Sequence, residues 1–170
     1  MISRLPIKQE GFTLIELVIT VTIVAILATV AMPMLQLSVQ RVKENELRAN
    51  LREIRQAIDA YKKVADVDNG PIKKVVGQTG YPPNLEVLVN GVVDENDPNK
   101  RKLKFLRRIP LDPMQPANLK SGNPNESLPN NWGLRSYASD AKHPSEGDDV
   151  YDVYSLSNQV GINGVPYAQW

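Results

Sequence analysis

Gln9 to Pro33 reads QEGFTLIELVITVTIVAILATVAMP, and this stretch decides the fold. From Phe12 to Leu35 the chain is almost continuously apolar over about 24 residues. At about 1.5 Å per residue, a helix of that length reaches about 36 Å, more than the roughly 30 Å hydrocarbon core of a bilayer. Thr20, Thr22 and Thr29 fit such a helix, because a threonine hydroxyl bonds back to its own backbone. Glu16 does not fit. An ionised carboxylate deep in a membrane helix costs on the order of 3 kcal/mol.

Three readings compete for this segment. A cleaved secretory signal has a shorter apolar region, of roughly 7–15 residues, and a small-residue cleavage site that the residues before Met32 do not form. A plain single-pass anchor leaves Glu16 to snorkel toward the interface. The third reading explains the string as a whole. Arg4 and Lys8 precede it, Gly11-Phe12-Thr13-Leu14-Ile15-Glu16-Leu17 opens it, and the apolar run follows. The basic flank favours a cytoplasmic N-terminus, although Arg41 and Lys43 on the far side weaken that signal.

Those residues resemble the start of the type IV pilin and pseudopilin family. The resemblance implies that a prepilin peptidase cuts between Gly11 and Phe12 and methylates the new amine of Phe12. It makes residues 1–11 a leader peptide and 12–35 a transmembrane and filament-core helix. Cleavage creates an ammonium at Phe12, and Glu16 supplies the opposite charge, from its own chain or from a neighbour. Two charges buried together cost much less than one alone, and such a pair sets register more than it adds stability. Pro33 removes one backbone bond and is expected to kink the helix.

The totals narrow the function classes. The chain has 170 residues, 20 Lys and Arg against 19 Asp and Glu, and a net charge of +1. That balance gives no electrostatic case for nucleic acid. There is no cysteine, hence no disulfide framework, thiol nucleophile or thiolate zinc site. His143 is the one histidine, so a single chain cannot form a multi-histidine metal site.

Beyond the apolar run, Leu47, Leu51, Ile54, Ile58 and Tyr61 fall at helical spacing and form one stripe. No Gly or Pro occurs between Gln36 and Val67, so the helix is expected to continue over 36–66 and to pack its stripe on a head, 67–170. The stripe is too short for a coiled coil of several heptads. Asn84 is a candidate cap for a short helix over Leu85, Leu88 and Val89 that Gly91 closes. The segment from Asp94 to Pro113 reads as a charged connector. Within it KRKLKFLRR carries six Lys or Arg in nine residues. That basic run either touches acidic lipid or nucleic acid, or is a solvated face balanced by the acids before it. Residues 115–131 have loop composition. WGLRSYA and DVYDVYSLS read as two antiparallel strands, with Trp132 and Leu134 on one face and Arg135 and Tyr137 on the other. NGVPYAQW offers a turn and a short terminal strand or ordered tail.

The head is similar to the major pseudopilins of type II secretion systems. Gly80-Tyr81-Pro82, Ile109-Pro110-Leu111-Asp112-Pro113 and Tyr151-Asp152-Val153-Tyr154-Ser155-Leu156 carry that likeness. It implies an α+β, pilin-like fold: a long N-terminal helix, transmembrane in its first half, with its second half packed on a small antiparallel sheet. Two departures stand out. Met114-Gln115 follow the Asp-Pro where the group has Trp-Gly, and Trp132-Gly133 come only after an inserted loop. Many members also bind calcium with carboxylates in the loop after the last strand, but SNQVGINGVPYAQW has no Asp or Glu. Calcium takes about six to eight oxygens, with carboxylates supplying charge. Asp140, Glu146, Asp148, Asp149 and Asp152 are the acids near enough in sequence to contribute. No metal or other cofactor is therefore expected, with calcium the alternative.

For catalysis the best candidates are His143 with Asp148 or Asp149, in no nucleophile-elbow or phosphate-loop context. Asn125-Glu126-Ser127 matches a glycosylation triplet of a kind common by chance. A structural role is expected instead. The resemblance implies a homopolymer in the bacterial inner membrane, with its N-terminus cytoplasmic and its head periplasmic. The partners it implies are the prepilin peptidase, an inner-membrane platform protein, an assembly ATPase complex and minor pseudopilins. The alternatives are a type IV pilin of a surface fibre, and an anchored binding module that never polymerises.

Overall fold

The computed structural model describes residues 11–74, 77–115 and 131–170. Helix α1 runs from Leu14 to Ala65 over 52 residues. It continues through position 33, so Pro33 does not end it. The chain divides into two compact units, one up to Gln40 and one from Arg41 to Trp170.

In the first unit the helix shows no apolar stripe, because it is apolar all round. Leu14, Ile15, Leu17, Val18, Ile19, Val21, Ile23, Val24, Ile26 and Leu27 are all exposed. A helix that is hydrophobic on every face needs a partner or a bilayer to cover it. This one is long and apolar enough to cross a membrane. Its threonines are satisfied from within: Thr20 Oγ donates to the Leu17 carbonyl at 2.9 Å, Thr22 to Val18 at 2.7 Å and Thr29 to Ala25 at 2.9 Å. No polar group of theirs asks for water in the apolar segment.

The second unit is built on the stripe. Leu47, Leu51, Ile54, Ala57, Ile58, Tyr61 and Ala65 are buried along α1. They meet Ile72, Leu85, Leu88, Leu106, Met114, Trp132, Val150, Val153 and Tyr167 in one core. Helix α2, Glu86–Asn90, starts with Leu85 rather than Asn84 at its N-cap position, while Asn84 Oδ1 still accepts the Val87 N–H at 3.0 Å. Gly91, at φ +78°, donates its N–H to the Val87 carbonyl at 2.9 Å and ends the helix.

The charged connector departs from expectation. Val92–Val93 (β1) and Lys102–Leu103 (β2) pair antiparallel as a short hairpin. The turn between them is closed by Asp97, which accepts from Asn99 N–H at 2.9 Å and pairs with Arg101 at 2.5 Å. The expected sheet is likewise two separate two-stranded ribbons. Trp132–Arg135 (β3) and Asp152–Ser155 (β4) form the second, with Trp132 opposite Ser155 and Gly133 opposite Tyr154. Gly133 is required there, since a Cβ would overlap the Tyr154 ring. The terminal segment is an ordered tail with one bridge, Val160 to Pro166, and a single 3₁₀ turn, Tyr167–Gln169. The loop expected at 115–131, with Asn125-Glu126-Ser127 in it, lies almost wholly outside the described residues.

Candidate functional site

The N-terminal site is the first turn of α1. Gly11 and Phe12 are exposed, Phe12 at 83 %. Thr13 and Glu16 form a reciprocal cap. Thr13 Oγ accepts the Glu16 N–H at 3.3 Å, and Glu16 Oε2 accepts the Thr13 N–H at 3.4 Å. This is the Ser/Thr-x-x-Glu capping box, legible in Thr13-Leu14-Ile15-Glu16 but outshone by the membrane problem that Glu16 poses. Two consequences follow. The carboxylate sits at the positive end of the helix dipole, where negative charge is favoured. Its hydrogen bonds are longer than the usual 2.7–3.2 Å or so, and so hold it only weakly. Glu16 thus bonds to Thr13, the residue after Phe12, with most of its acceptor capacity unused. The next Lys or Arg along the chain is Arg41.

In the head, the three segments that carry the family likeness converge. Asp112 is buried; its Oδ2 accepts from Ser155 Oγ at 2.5 Å and its Oδ1 from the Met114 N–H at 2.8 Å. Trp132 Nε1 donates to the Pro110 carbonyl at 2.7 Å, and Asn50 Nδ2 of α1 donates to the Leu111 carbonyl at 3.0 Å. The Val150 N–H donates to the Pro82 carbonyl at 2.8 Å. Ile109–Pro113 is therefore a buckle that ties α1, β3 and β4 together. The indole reaches Pro110 across 22 residues of chain.

Asp149, which the sequence offers for calcium or for catalysis, is instead a second buried knot. It accepts from Ser136 Oγ at 2.7 Å, from the Tyr137 N–H at 2.9 Å and from Thr79 Oγ. Burial pushes its pKa up, but the donors from Thr79, Tyr137 and Ser136 outweigh that and hold it below the ordinary carboxylate range. Beside it Tyr81, Tyr137 and Tyr151 pack ring on ring, with centroids 5.1–5.8 Å apart. A cavity of about 630 Å³ opens here between Tyr61, Thr79, Tyr81, Ser136 and Asp149.

The candidate catalytic grouping is not assembled. His143 is 88 % exposed and its Nδ1 lies 3.7 Å from Asp140, while Asp149 is committed to its own donors. A sequence-local partner won over the expected Asp148 or Asp149 because residues 140–143 form one tight loop. The basic run also resolves physically. Leu106 turns into the core and Phe105 packs edge-on against Tyr61 at 5.4 Å, while Lys102, Lys104, Arg107 and Arg108 face outward. Arg101 pairs with Asp97 from the preceding acids, and the hydrogen bond from Arg101 lowers the Asp97 pKa. Among the described residues no group of three or more His, Cys, Asp or Glu is placed to hold a metal ion.

Residues 7–32 match the family model described as the prokaryotic N-terminal methylation motif. The type II secretion system core protein G of Pseudomonas aeruginosa is 30% identical over 156 residues, covering 89% of this chain and 97% of that protein. The protein of the same description from Vibrio cholerae is 29% identical over 109 residues, or 62% of this chain and 66% of that one. The fimbrial protein EcpB of Eikenella corrodens is 30% identical over 99 residues, covering 58% of this chain and 50% of that protein. No solved structure matches the chain. With the motif at its start and the likeness running almost end to end, the chain belongs to the type IV pilin and pseudopilin family, in the group of the type II secretion system core protein G.

Proposed function

We propose that this chain is the repeating structural subunit of a type II secretion pseudopilus. It enters the inner membrane as a precursor with residues 1–11 on the cytoplasmic side and the head in the periplasm. A prepilin peptidase cuts between Gly11 and Phe12 and methylates the Phe12 amine. The mature chain polymerises: its apolar helix becomes the filament core, and the filament helps to move folded proteins through the outer membrane. Pro33 lets that helix bend or loosen as subunits pack. The platform protein, the assembly ATPase complex and minor pseudopilins are the partners that such assembly requires.

One observation carries this reading. Glu16 is the lone charge in the first turn of a helix whose apolar side chains are exposed on every side. A simple anchor gains only a weak helix cap from that carboxylate. A subunit that packs beside the amino terminus of its neighbour gains a neutralised pair and a fixed register.

The likeness to a fimbrial protein favours a second reading, a surface pilus. Gene deletion separates the two. Loss of folded exoproteins from the medium, with surface fibres and twitching unchanged, supports the pseudopilus. Loss of surface fibres with normal secretion overturns it.

A further inference from the structure

The last loop of the head, residues 157–170, is where calcium would sit in many relatives of this kind. Here the loop has the wrong polarity for a cation. A calcium site needs convergent oxygens, with carboxylates among them. This loop contains no Asp or Glu. Four of its own oxygens serve its own turns: Asn163 Oδ1 accepts the Val165 N–H at 3.1 Å, and the carbonyls of Gln159, Gly161 and Val165 accept from Tyr167, Gly164 and Gly161. Among the acids nearby in sequence, Asp149 is held by Thr79, Ser136 and Tyr137, and Asp152 by Arg55.

What the loop turns inward is donors, and they meet an anion. Glu44 of α1 is buried, and its Oε1 accepts the Ile162 N–H at 2.8 Å and the Tyr167 hydroxyl at 3.0 Å. A guanidinium from the same helix ties the end of the loop to β4. Arg55 donates to Asp152 Oδ1 at 2.7 Å, to the Val153 carbonyl at 3.1 Å and to the Trp170 main-chain oxygen at 2.8 Å. Between them Arg48 lies 4.3 Å from the centroid of the Trp170 ring, which in turn packs edge-on against Tyr167. Glu44, Arg48 and Arg55 are four and seven residues apart, so one face of α1 presents all three.

We infer that this face of α1 is a protein-borne clamp that closes the C-terminal loop in place of calcium, so that the head folds and the subunit assembles without the metal. Glu44 takes the donors a cation would repel, and Arg55 pins the Trp170 oxygen to β4. The two charges come from a helix already fixed by its buried stripe, and charge-assisted bonds from fixed partners are the strong kind. The inference concerns the head alone; it stands or falls separately from the choice between pseudopilus and pilus.

The test uses the full chain in detergent micelles, with thermal unfolding and limited chymotrypsin digestion of the 157–170 loop followed in calcium chloride and in EGTA. The wild type is expected to melt at the same temperature and be cut at the same rate in both. E44Q is expected to be cut in this loop several-fold faster, with no rescue by calcium. Because E44Q removes a buried charge and can prevent folding, R48M serves as a milder probe, expected to speed cleavage near Trp170 while leaving the fold intact. A midpoint several degrees lower in EGTA, stoichiometric calcium binding by calorimetry, or loop cleavage unchanged in both variants overturns the inference.

Discussion

Asp149→Asn is the sharpest probe of the head. The carboxylate accepts three hydrogen bonds, from Thr79 Oγ, Ser136 Oγ and the Tyr137 N–H. All three donors are directed at oxygen. The amide keeps one acceptor and brings an NH₂ group against donors already aimed at that spot. With the amide oxygen kept toward Ser136 and Tyr137, the Thr79 hydroxyl must turn from donor to acceptor to meet the NH₂ group, and all three bonds lose their charge assistance. Bonds to charged groups are worth about 1.5–3 kcal/mol each, so the substitution should cost about 2–4 kcal/mol. Total stabilities are only about 5–15 kcal/mol, so that is a large share. For a head of this size, about 3 kcal/mol corresponds to roughly 10 °C in melting temperature. The pH dependence supplies the decisive control. The Asp149 pKa is depressed in the fold, so its contribution is complete above the unfolded value near 3.8 and is lost as pH falls through the folded value. Carboxylates shared by both proteins, such as Asp66 and Asp97, cancel in the difference. Thermal melts of the detergent-solubilised chain should show the full gap at neutral pH and a narrowing gap in strong acid. A gap that is negligible at neutral pH, or one that stays constant down to acid, refutes the reasoning.

Three further outcomes are expected. Glu16→Ala should be cleaved normally yet assemble poorly, read as the ratio of sheared or sedimented filament to mature subunit; wild-type filament yield would remove the charge-pair account. Ile54→Ala, at a fully buried position of the stripe, should destabilise the head by about 2–5 kcal/mol in thermal melts, whereas Arg52→Ala on the exposed face should change it by about 0.5 kcal/mol or less. Gly133→Ala should cost about 1–3 kcal/mol, because its new methyl overlaps the Tyr154 ring, and Tyr154→Ala in the same chain should recover part of that loss.

The long helix, its stripe and the β3–β4 pair were legible because each rests on a periodic signal that repeats over many residues. Leu47 through Tyr61 line up in sequence as they do in the core, and Trp132 and Leu134 alternate as they do in the strand. The Asn84 bond to Val87 and the Gly91 stop were legible because both act within one turn. The β1–β2 hairpin was not, since two residues per strand show no period and the surrounding charges read as loop. Nor were the roles of Glu44, Asp112 and Asp149. Their partners lie 118, 43 and 70 residues away, and no local pattern separates a buried acid from a solvated one. Thr13 is the instructive case. Its spacing to Glu16 spells a helix cap, and the same glutamate is a charge in an apolar run. The structure shows the cap, and the assembly role needs both: a carboxylate that the helix start holds weakly and a new amine can claim.

The central claim is that Phe12 becomes a free, methylated amino terminus within reach of Glu16. Intact-mass and peptide mass spectrometry of the chain purified from cells that contain a prepilin peptidase tests it most directly. The account predicts a mature chain that begins at Phe12 with one added methyl group on its amine. A chain that keeps Met1, or one cut near Ala31, contradicts it.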